Sequence, residues 1–232
     1  MNVRAQRWAM LAGVAFAILL FVGVNLMFSG LPDFGSKDSA STIARKVHDS
    51  AADSGKRKQV VAGAYLLVLA GLALLWFAQG LRSRLATGTG RGGYAGGLIT
   101  GFGTFAGVAL AAGGALSANV AGGIEFGDDP VPAQTSADAS RMMQEVGVSL
   151  VLLVFGLAVA AMIAVVTVAV LQGAALPRWL GYAGWLAVLG GIFGVVFLPL
   201  ALVALWALIV GILGAVNSRV QTHAPTVAAA PA

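Results

Sequence analysis

The chain has no cysteine among its 232 residues, which excludes disulfides, thiolate metal sites and thiol nucleophiles. Charge is also scarce, because only 10% of the residues are Asp, Glu, Lys or Arg. An average soluble domain has about a quarter. His48 is the only histidine before the C-terminal tail, and a single histidine cannot build a metal site. The side chains that most often carry catalysis or bind metals are therefore nearly missing, and we expect no metal and no cofactor.

Long apolar runs fill most of the chain, and none of them contains Lys, Arg, Asp, Glu or His. A membrane-spanning helix needs about 20 apolar residues to cross a hydrocarbon layer about 30 Å thick. We therefore predict an all-α fold, a polytopic membrane helix bundle with six transmembrane helices at about 8–28, 60–81, 97–121, 146–171, 181–197 and 199–216. Five helices remain an alternative if 181–216 is one kinked helix, because Pro199 can kink a helix or begin a new one.

All nine acidic residues lie in two of the segments between the runs, 29–59 and 122–145. We predict that both segments are loops on the outer face of the membrane domain 1–216, where they form a small cap. The segment 217–232 contains two prolines and an alanine run, and we predict a disordered tail there.

The charge distribution bears on orientation. With the N-terminus inside, the inner segments carry seven Lys and Arg and no acid, and the outer segments carry seven with all the acids. The number of Lys and Arg residues on each side alone does not decide the orientation, and the basic cluster 56–58 argues for the opposite orientation. Arg4 and Arg7 flank the first span, which usually dominates. We predict a multi-pass protein of the cell (inner or plasma) membrane with both termini in the cytoplasm.

Small residues recur at four-residue spacing in the third and fifth runs. Residues four apart share a helix face, so a second helix can approach closely there. Packing inside the chain is the favoured interpretation, with a homodimer seam as the alternative. The candidate helix-packing positions are Gly97, Gly101, Gly103, Gly107, Ala111, Ala115, Gly190 and Gly194. The candidate anchors at the membrane interface are Arg82, Arg84, Arg178 and Trp179.

Three weaker signals have simple structural interpretations. Residues 88–93 match G-x-G-x-x-G, but they join two predicted membrane helices and so indicate a turn rather than a dinucleotide site. Residues 125–130 carry three carboxylates without EF-hand spacing, which indicates a solvated loop or, alternatively, a weak cation site. Ser41 and Thr42 could cap a short helix with Ile43 and Val47 on one face, lying on the lipid headgroups.

The polar content of the runs limits the possible functions. An ion-coupled transporter normally carries an ionisable group within the membrane, and catalysis needs a nucleophile or general base at a suitable depth. We expect a non-enzymatic integral membrane protein that acts through helix packing and through contact with the lipid bilayer, a partner membrane protein or a second copy. Nucleic acid is not an expected partner, since the basic residues are dispersed.

Two other functions stay open as alternatives. A small-molecule or lipid transporter without charged coupling residues would need a continuous cavity lined by Thr100, Thr104, Ser117 and Asn119. A membrane-embedded enzyme, the third candidate, would need acids to fold over the bundle and meet His48. Those acids would be Asp33, Asp38 or residues 125–129.

Several short motifs occur in a characteristic order, beginning with the arginine-flanked first span. They are Pro32-Asp33, Ser41-Thr42-Ile43-Ala44, Arg57 before Ala64-Tyr65-Leu66, Leu81-Arg82-Ser83-Arg84-Leu85, Leu176-Pro177-Arg178-Trp179-Leu180-Gly181 and Phe197-Leu198-Pro199-Leu200. In this order the chain resembles uncharacterised actinobacterial integral membrane proteins related to the DUF4386-like group. The resemblance covers most of residues 1–216. It implies a six-helix membrane domain with a cytoplasmic N-terminus, and it implies no activity, substrate or catalytic residue.

Overall fold

The computed structural model describes residues 3–35, 37–89, 92–127, 134–173, 176–194 and 199–220. These residues are almost entirely helical and contain no strand, so the predicted all-α fold is confirmed. A π-helical turn, Leu150–Val154, joins α6 to α7 without a break. The helices are α1 Val3–Gly30, α2 Ala40–Ala52, α3 Ser54–Thr89, α4 Gly92–Ser117, α5 Asn119–Gly127, α6 Gln134–Ser149, α7 Phe155–Leu171, α8 Arg178–Ile192 and α9 Leu200–Val220.

Four helical segments are long and apolar enough to cross a membrane. They are Arg4–Gly30, Ser54–Leu85, Gly93–Ser117 and Ala137–Leu171, and Leu200–Val216 is a shorter apolar helix.

The region 181–216 contains two helices, α8 and α9, rather than one kinked helix. Gly190 lies against Leu202, and Gly184 lies close to the Trp206 indole nitrogen. Residue numbers fall along one helix as they rise along the other, so the two helices run in opposite directions.

Several helices extend beyond the apolar runs from which they were predicted, whereas α4 ends at Ser117, before the predicted 121, and α8 ends at Ile192, before the predicted 197. The helix α3 continues to Thr89, and α6 begins at Gln134, well before the apolar run that starts near 146. The predicted outer loops thus contain α2 and most of α5 and α6, and the predicted tail contributes Asn217–Val220 to α9. Hydropathy indicates only the part of a helix that is apolar enough to contact hydrocarbon. The backbone hydrogen bonds of the same helix can continue into polar residues that contact water. Residues 221–232 lie outside the described residues.

Six helical segments form a closed ring in the order α1, α3, α4, α7, α8 and α9, with α9 packed back on α1. Large side chains fill the middle of this ring. The Phe16 and Phe155 rings lie 6.3 Å apart, and the Phe77 and Trp206 rings lie 6.4 Å apart. All four side chains are buried. The two aromatic pairs join helices on different sides of the ring, so the described interior is a packed core.

Neighbouring helices of the ring run in opposite directions, so the charged residues collect at two ends. Gly80 lies against Ala9, and Gly211 lies against Met10, which places the end of α3 and the end of α9 beside the start of α1. We call this the basic end, because its described charged residues are all arginines (Arg4, Arg7, Arg82, Arg84, Arg178). The opposite, acidic end carries every described acid (Asp33, Asp38, Asp49, Asp53, Glu125, Asp138, Glu145).

The surface between the two ends is apolar. Large hydrophobic side chains point outward around the ring, and many of them are more than half exposed. A soluble domain of this size would rarely present so much contiguous apolar surface. Examples from six helices are Ile18, Phe21, Leu72, Trp76, Phe105, Val108, Leu157, Leu186 and Leu205.

Candidate functional site

Two of the predicted packing positions, Gly103 and Gly107, lie where α4 packs closely against α3. A methyl group on Gly107 would lie 2.9 Å from the Gly71 carbonyl oxygen, and one on Gly71 would lie 2.5 Å from the Gly107 oxygen. A methyl group on Gly103 would lie 2.7 Å from Ala78 Cβ. Because neither backbone leaves room for a side chain, Gly103 and Gly107 set how closely the two helices approach.

Comparable reciprocal glycine pairs occur at three other interfaces. They are Gly23 with Gly63, Gly113 with Gly147, and Gly156 with Gly191. The sequence reasoning did not select these six residues. They lie on different helices, and spacing within one run cannot show which glycines meet.

The other candidate packing positions have different surroundings. Gly190 lies against the Pro199 carbonyl and Leu202, and Gly194 lies against Leu200 and the Leu152 carbonyl. Ala111 is half-buried and Ala115 is exposed. At the level of Ala115 it is Gly114 that faces α3, where an added methyl group would lie 3.2 Å from Leu67 Cβ. A four-residue step advances about 40° more than one helical turn, so a stripe at that spacing leaves the interface after a few steps.

Gly97 and Gly101 face away from the bundle. A methyl group on either would meet nothing within 4 Å. With Leu98, Phe102 and Phe105 they line an open groove of about 340 Å³ on α4. The two predicted glycine pairs of the third run therefore differ, since Gly103 and Gly107 pack inside the chain and Gly97 and Gly101 do not.

Three of the four predicted interface anchors are exposed at the basic end: Arg82, Arg178 and Trp179. Arg84 is different, because it is only 7% exposed and its Nη2 donates a hydrogen bond to the Gly214 carbonyl oxygen in α9. The interpretation of Arg84 as a headgroup anchor was wrong. Arg84 lies two residues after Arg82, so its side chain points toward the ring, where the hydrogen bond connects α3 to α9.

A small cap covers the acidic end. The helix α2 begins after Ser39, whose side chain accepts a hydrogen bond from the Thr42 backbone N–H at 3.3 Å. Ser39 is thus the N-cap rather than Ser41 or Thr42. Ile43 and Val47 share a face as predicted, but that face is buried against Ala137 of α6. The apolar face of α2 therefore contacts protein and not the lipid headgroups predicted from the sequence.

Arg57 connects three helices of the cap. Its Nη1 donates to the carbonyl oxygens of Ala51, at 2.6 Å, and Ala52, at 3.2 Å, at the C-terminus of α2. Its Nε donates to Glu125 of α5 at 3.3 Å. The end of a helix presents unsatisfied carbonyls that attract a cation, so a single guanidinium holds α2, α3 and α5 together.

Below Arg57 lies a cavity of about 40 Å³ with a partly polar lining. Ser117, Asn119 and Gln144 contribute side chains to it. The Ser117 Oγ is buried without a hydrogen-bond partner in the described part of the chain. A water molecule needs roughly 10–15 Å³ by this measure, so the cavity has room for a few waters but not for a substrate.

A second ion pair holds the segment before α2. Lys46 Nζ donates to Asp38 Oδ2 and to the Asp33 carbonyl oxygen, both at 2.7 Å. The Gly35 N–H also donates to Asp38, at 2.7 Å. The Lys46 hydrogen bond, followed by that from Gly35, lowers the pKa of the Asp38 carboxyl below its ordinary value of 3.8.

The residues proposed for an enzyme do not come together. His48 is exposed and lies 3.8 Å from Asp49, while Asp38 pairs with Lys46 and Glu125 pairs with Arg57. Among the described residues there is no group of three or more His, Asp or Glu side chains that could hold a metal ion. Asp128 and Asp129, which belong to the predicted cation segment, lie outside the described residues, as do Gly90 and Arg91 of the glycine-rich motif.

The residues proposed for a transport cavity are also dispersed. Thr100 Oγ1 donates to the Gly96 carbonyl at 3.0 Å within its own helix, and Thr104 is exposed on the outside of the bundle. Only Ser117 and Asn119 share a cavity, the small one below Arg57. The continuous pocket that a carrier would require does not join these four side chains.

Comparison with known proteins gives no relative: no family model, no curated protein and no solved structure matches the chain.

Proposed function

We propose that this chain is an integral membrane protein that crosses the bilayer six times and acts, without catalysis, through contacts with lipid and with partner helices. The observation that carries this proposal is the apolar outer surface between the basic end and the acidic end. Hydrocarbon is the solvent that such a surface fits, and the backbone groups of the helices are satisfied internally, as hydrocarbon requires.

The two helices that complete the six spans differ in length. With 21 residues, α9 is about 32 Å long at about 1.5 Å per residue, and its apolar part, Leu200–Val216, accounts for about 26 Å of this. With 15 residues, α8 is only about 22 Å long. Arg178 and Trp179 at its start can reach the headgroups from a shorter span, and local thinning of the bilayer is a known adjustment.

The distribution of charge favours a cytoplasmic basic end, and therefore cytoplasmic N- and C-termini. The described charged residues there are arginines without a single acid, the pattern expected of the inner face. Exposed aromatic side chains near that end (Trp8, Tyr94, Trp179 and Tyr182) fit an interfacial aromatic belt.

The open groove on α4 is the surface we propose for contact with a partner helix. Gly97 and Gly101 leave its floor without side chains, and Phe102 and Phe105 form its walls. On the same helix, Gly103 and Gly107 lie against α3. A second copy of the chain or a different membrane helix could approach α4 here in the same way.

Cysteine labelling tests the embedding and the orientation, because the native chain has no cysteine. Single variants Ser41→Cys, Gly93→Cys and Ser218→Cys would be treated in intact cells with a membrane-impermeant maleimide. We expect Ser41→Cys alone to be labelled, and all three after lysis. Labelling of Gly93→Cys in intact cells would reverse the orientation. Labelling of both Ser41→Cys and Ser218→Cys, without Gly93→Cys, would reduce the spans to an odd number.

Cross-linking tests the partner surface. Gly97→Cys and Gly101→Cys variants in native membranes should form a dimer or a mixed adduct on oxidation, whereas Thr100→Cys, half-buried and beside the groove, should do so less. Native mass spectrometry from lipid nanodiscs would then identify a second copy or a retained lipid. Equal cross-linking at all three positions, or at none, would remove the α4 groove from the proposal.

A further inference from the structure

The polar cavity below Arg57, which we call the cap cavity, lies where the ring of helices meets the cap. Its walls come from α2, α3, α4, α5 and α6 and from the segment that follows α1. Its volume is about 40 Å³, and one water needs roughly 10–15 Å³ by the same measure. Cavities with polar walls and this much room hold water, whereas apolar cavities stay dry.

The helical path from α4 to α5 breaks at this cavity. The first helix ends at Ser117 and the second begins at Asn119, so that only Ala118 separates them. The last carbonyl groups of one helix and the first N–H groups of the next have no partner within their own helix. Residues 116–117 and 119–121, on the two sides of the break, all line the cap cavity. Backbone acceptors and donors that need partners are thus concentrated at its wall.

Side chains add further polar groups to the wall. Ser117 is only 6% exposed, and its Oγ has no hydrogen-bond partner in the described part of the chain. The hydrogen bonds of Arg57 use Nε and Nη1, and Nη2 carries two more N–H groups. Gln144 donates from Nε2 to the Pro32 carbonyl at 3.0 Å, and its amide oxygen can accept. A buried water needs two to four polar partners, which this lining supplies.

The charges around the cap cavity favour a neutral occupant. Arg57 would repel a cation. Its own charge already faces the Glu125 carboxylate and the carbonyl oxygens of Ala51 and Ala52, which would oppose an anion. Sites for organic ligands usually occupy about 300 Å³ or more. Water is small and neutral, and it both donates and accepts, as the mixed lining requires.

We propose that the cap cavity is a water-binding site, in which about two or three ordered waters complete the hydrogen bonds of the break between α4 and α5. The same waters bond to Arg57 and to Ser117, whose hydroxyl can reach them by rotation about χ1. They act as a structural ligand that joins the cap to the end of α4. This inference does not rest on the proposed function, because the cavity lies within the chain.

Solid-state NMR of the protein in lipid bilayers detects such waters through polarisation transfer from water protons to backbone amides. We expect faster transfer to the Ser117 amide than to the Ala64 amide. Both residues are 6% exposed, but Ala64 lies in an apolar cluster with Val60 and does not line the cap cavity. Gly114 of α4 lies against Ala64, so the two amides are at similar depth. Equal transfer to both would overturn the proposal.

Removal of the Ser117 hydroxyl gives opposite results for a hydrated and a dry cavity. If water bonds to the hydroxyl, Ser117→Ala should lower the melting temperature by about 2–4 °C, the shift expected for one hydrogen bond in a chain of this size. In a dry cavity the same change would remove a buried polar group without a partner, and the melting temperature would rise. An unchanged or higher melting temperature would therefore contradict the bound water.

Thr167→Val is the matched control. Thr167 is 1% exposed, its hydroxyl also has no partner in the described residues, and it lies against Gly184 of α8, away from the cap cavity. This variant should keep or raise the melting temperature, because no water is bound there. An equal decrease in both variants would remove the cavity as the cause. If Ser117→Ala does not fold, the NMR comparison on the native protein decides.

Discussion

At the scale of single residues, the same residue type has opposite surroundings on one helix. Gly107 of α4 lies so close to Gly71 that a methyl group would meet a carbonyl oxygen, whereas Gly101 of α4 meets nothing. Spacing predicts that both glycines lie on a smooth helix face. Only the position of the neighbouring helix decides which face is already covered.

Replacing Gly107 by leucine should therefore destabilise the fold, and replacing Gly101 by leucine should not. Overpacking costs about 1–3 kcal/mol, and more where backbone blocks the new side chain. Thermal unfolding in detergent measures the difference, with Gly107→Leu melting at a clearly lower temperature than the wild type. Similar melting temperatures for the two variants would contradict the α3–α4 contact.

Arg57 offers a second comparison, with its exposed neighbour Lys58 as the matched control. Arg57→Ala removes three hydrogen bonds and leaves Glu125 and two carbonyls of α2 without their partner. The expected loss is about 1–3 kcal/mol for each buried group left unsatisfied. Lys58→Ala should change stability by less than about 0.5 kcal/mol.

Hydrogen exchange of the α2 amides measures the effect of the Arg57 substitution directly. Faster exchange in Arg57→Ala but not in Lys58→Ala would support the role of Arg57. Equal exchange in both variants would mean that α2 is held mainly by its apolar face.

At the scale of helices, α2 illustrates the difference between a local pattern and its use. The four-residue spacing of Ile43 and Val47 predicts an amphipathic helix, and the helix is present. The same spacing would allow the apolar face of α2 to contact either lipid or protein. In the folded chain, Ala137 of α6 covers the apolar face of α2. The two helices meet because α6 packs against α4 at the acidic end, where α2 also lies.

The ion pair before α2 predicts a dependence on pH. The folded-state pKa of Asp38 is lowered, so its contribution to stability is present above its ordinary value of 3.8 and is lost as the pH falls through the lower folded value. Protection of the α2 amides, corrected for intrinsic exchange rates, should thus decrease below a pH of about 4. In Asp38→Asn, protection should already be reduced at neutral pH.

Asp49→Asn provides the control for this pH dependence, since Asp49 is exposed and faces His48 instead of Lys46. This variant should keep both the protection at neutral pH and its loss in acid. Identical pH profiles for wild type and Asp38→Asn would exclude the Asp38–Lys46 pair as the titrating contact.

At the scale of the whole molecule, the closed ring places the arginines at one end and the acids at the other. The apolar surface between them sets the thickness of the layer in which the protein fits. The first run, 8–28, is about 30 Å long at about 1.5 Å per residue, similar to the hydrocarbon core of an ordinary bilayer.

Thermal stability should therefore be highest in nanodiscs of intermediate lipid thickness. With phosphatidylcholines of increasing chain length, we expect the melting temperature to pass through a maximum where the hydrocarbon core is about 30 Å thick, and to fall on either side through hydrophobic mismatch. Circular dichroism at rising temperature measures this. A melting temperature that does not depend on thickness would contradict the proposed embedding.

The sequence by itself determined the helical class and the position of the apolar segments. Uncharged runs of about 20 residues are a local property, since they depend on which residues must face hydrocarbon and not on which helices are neighbours. Proline chemistry placed a possible break at Pro199, and α9 begins directly after it. The full length of the helices was not predictable, because α3 and α6 continue into polar residues that hydropathy does not mark.

The tertiary structure alone decided which residues meet. Arg57 and Glu125 are 68 residues apart in sequence, and Gln144 bonds to the Pro32 carbonyl across 112 residues. The sequence predicts that Arg84 is an anchor at the membrane interface, but α9 covers this side chain in the folded chain. Such pairings depend on how the ring closes and on the register between helices. Those are set by many weak packing contacts over the whole molecule, so no local pattern of residues contains them.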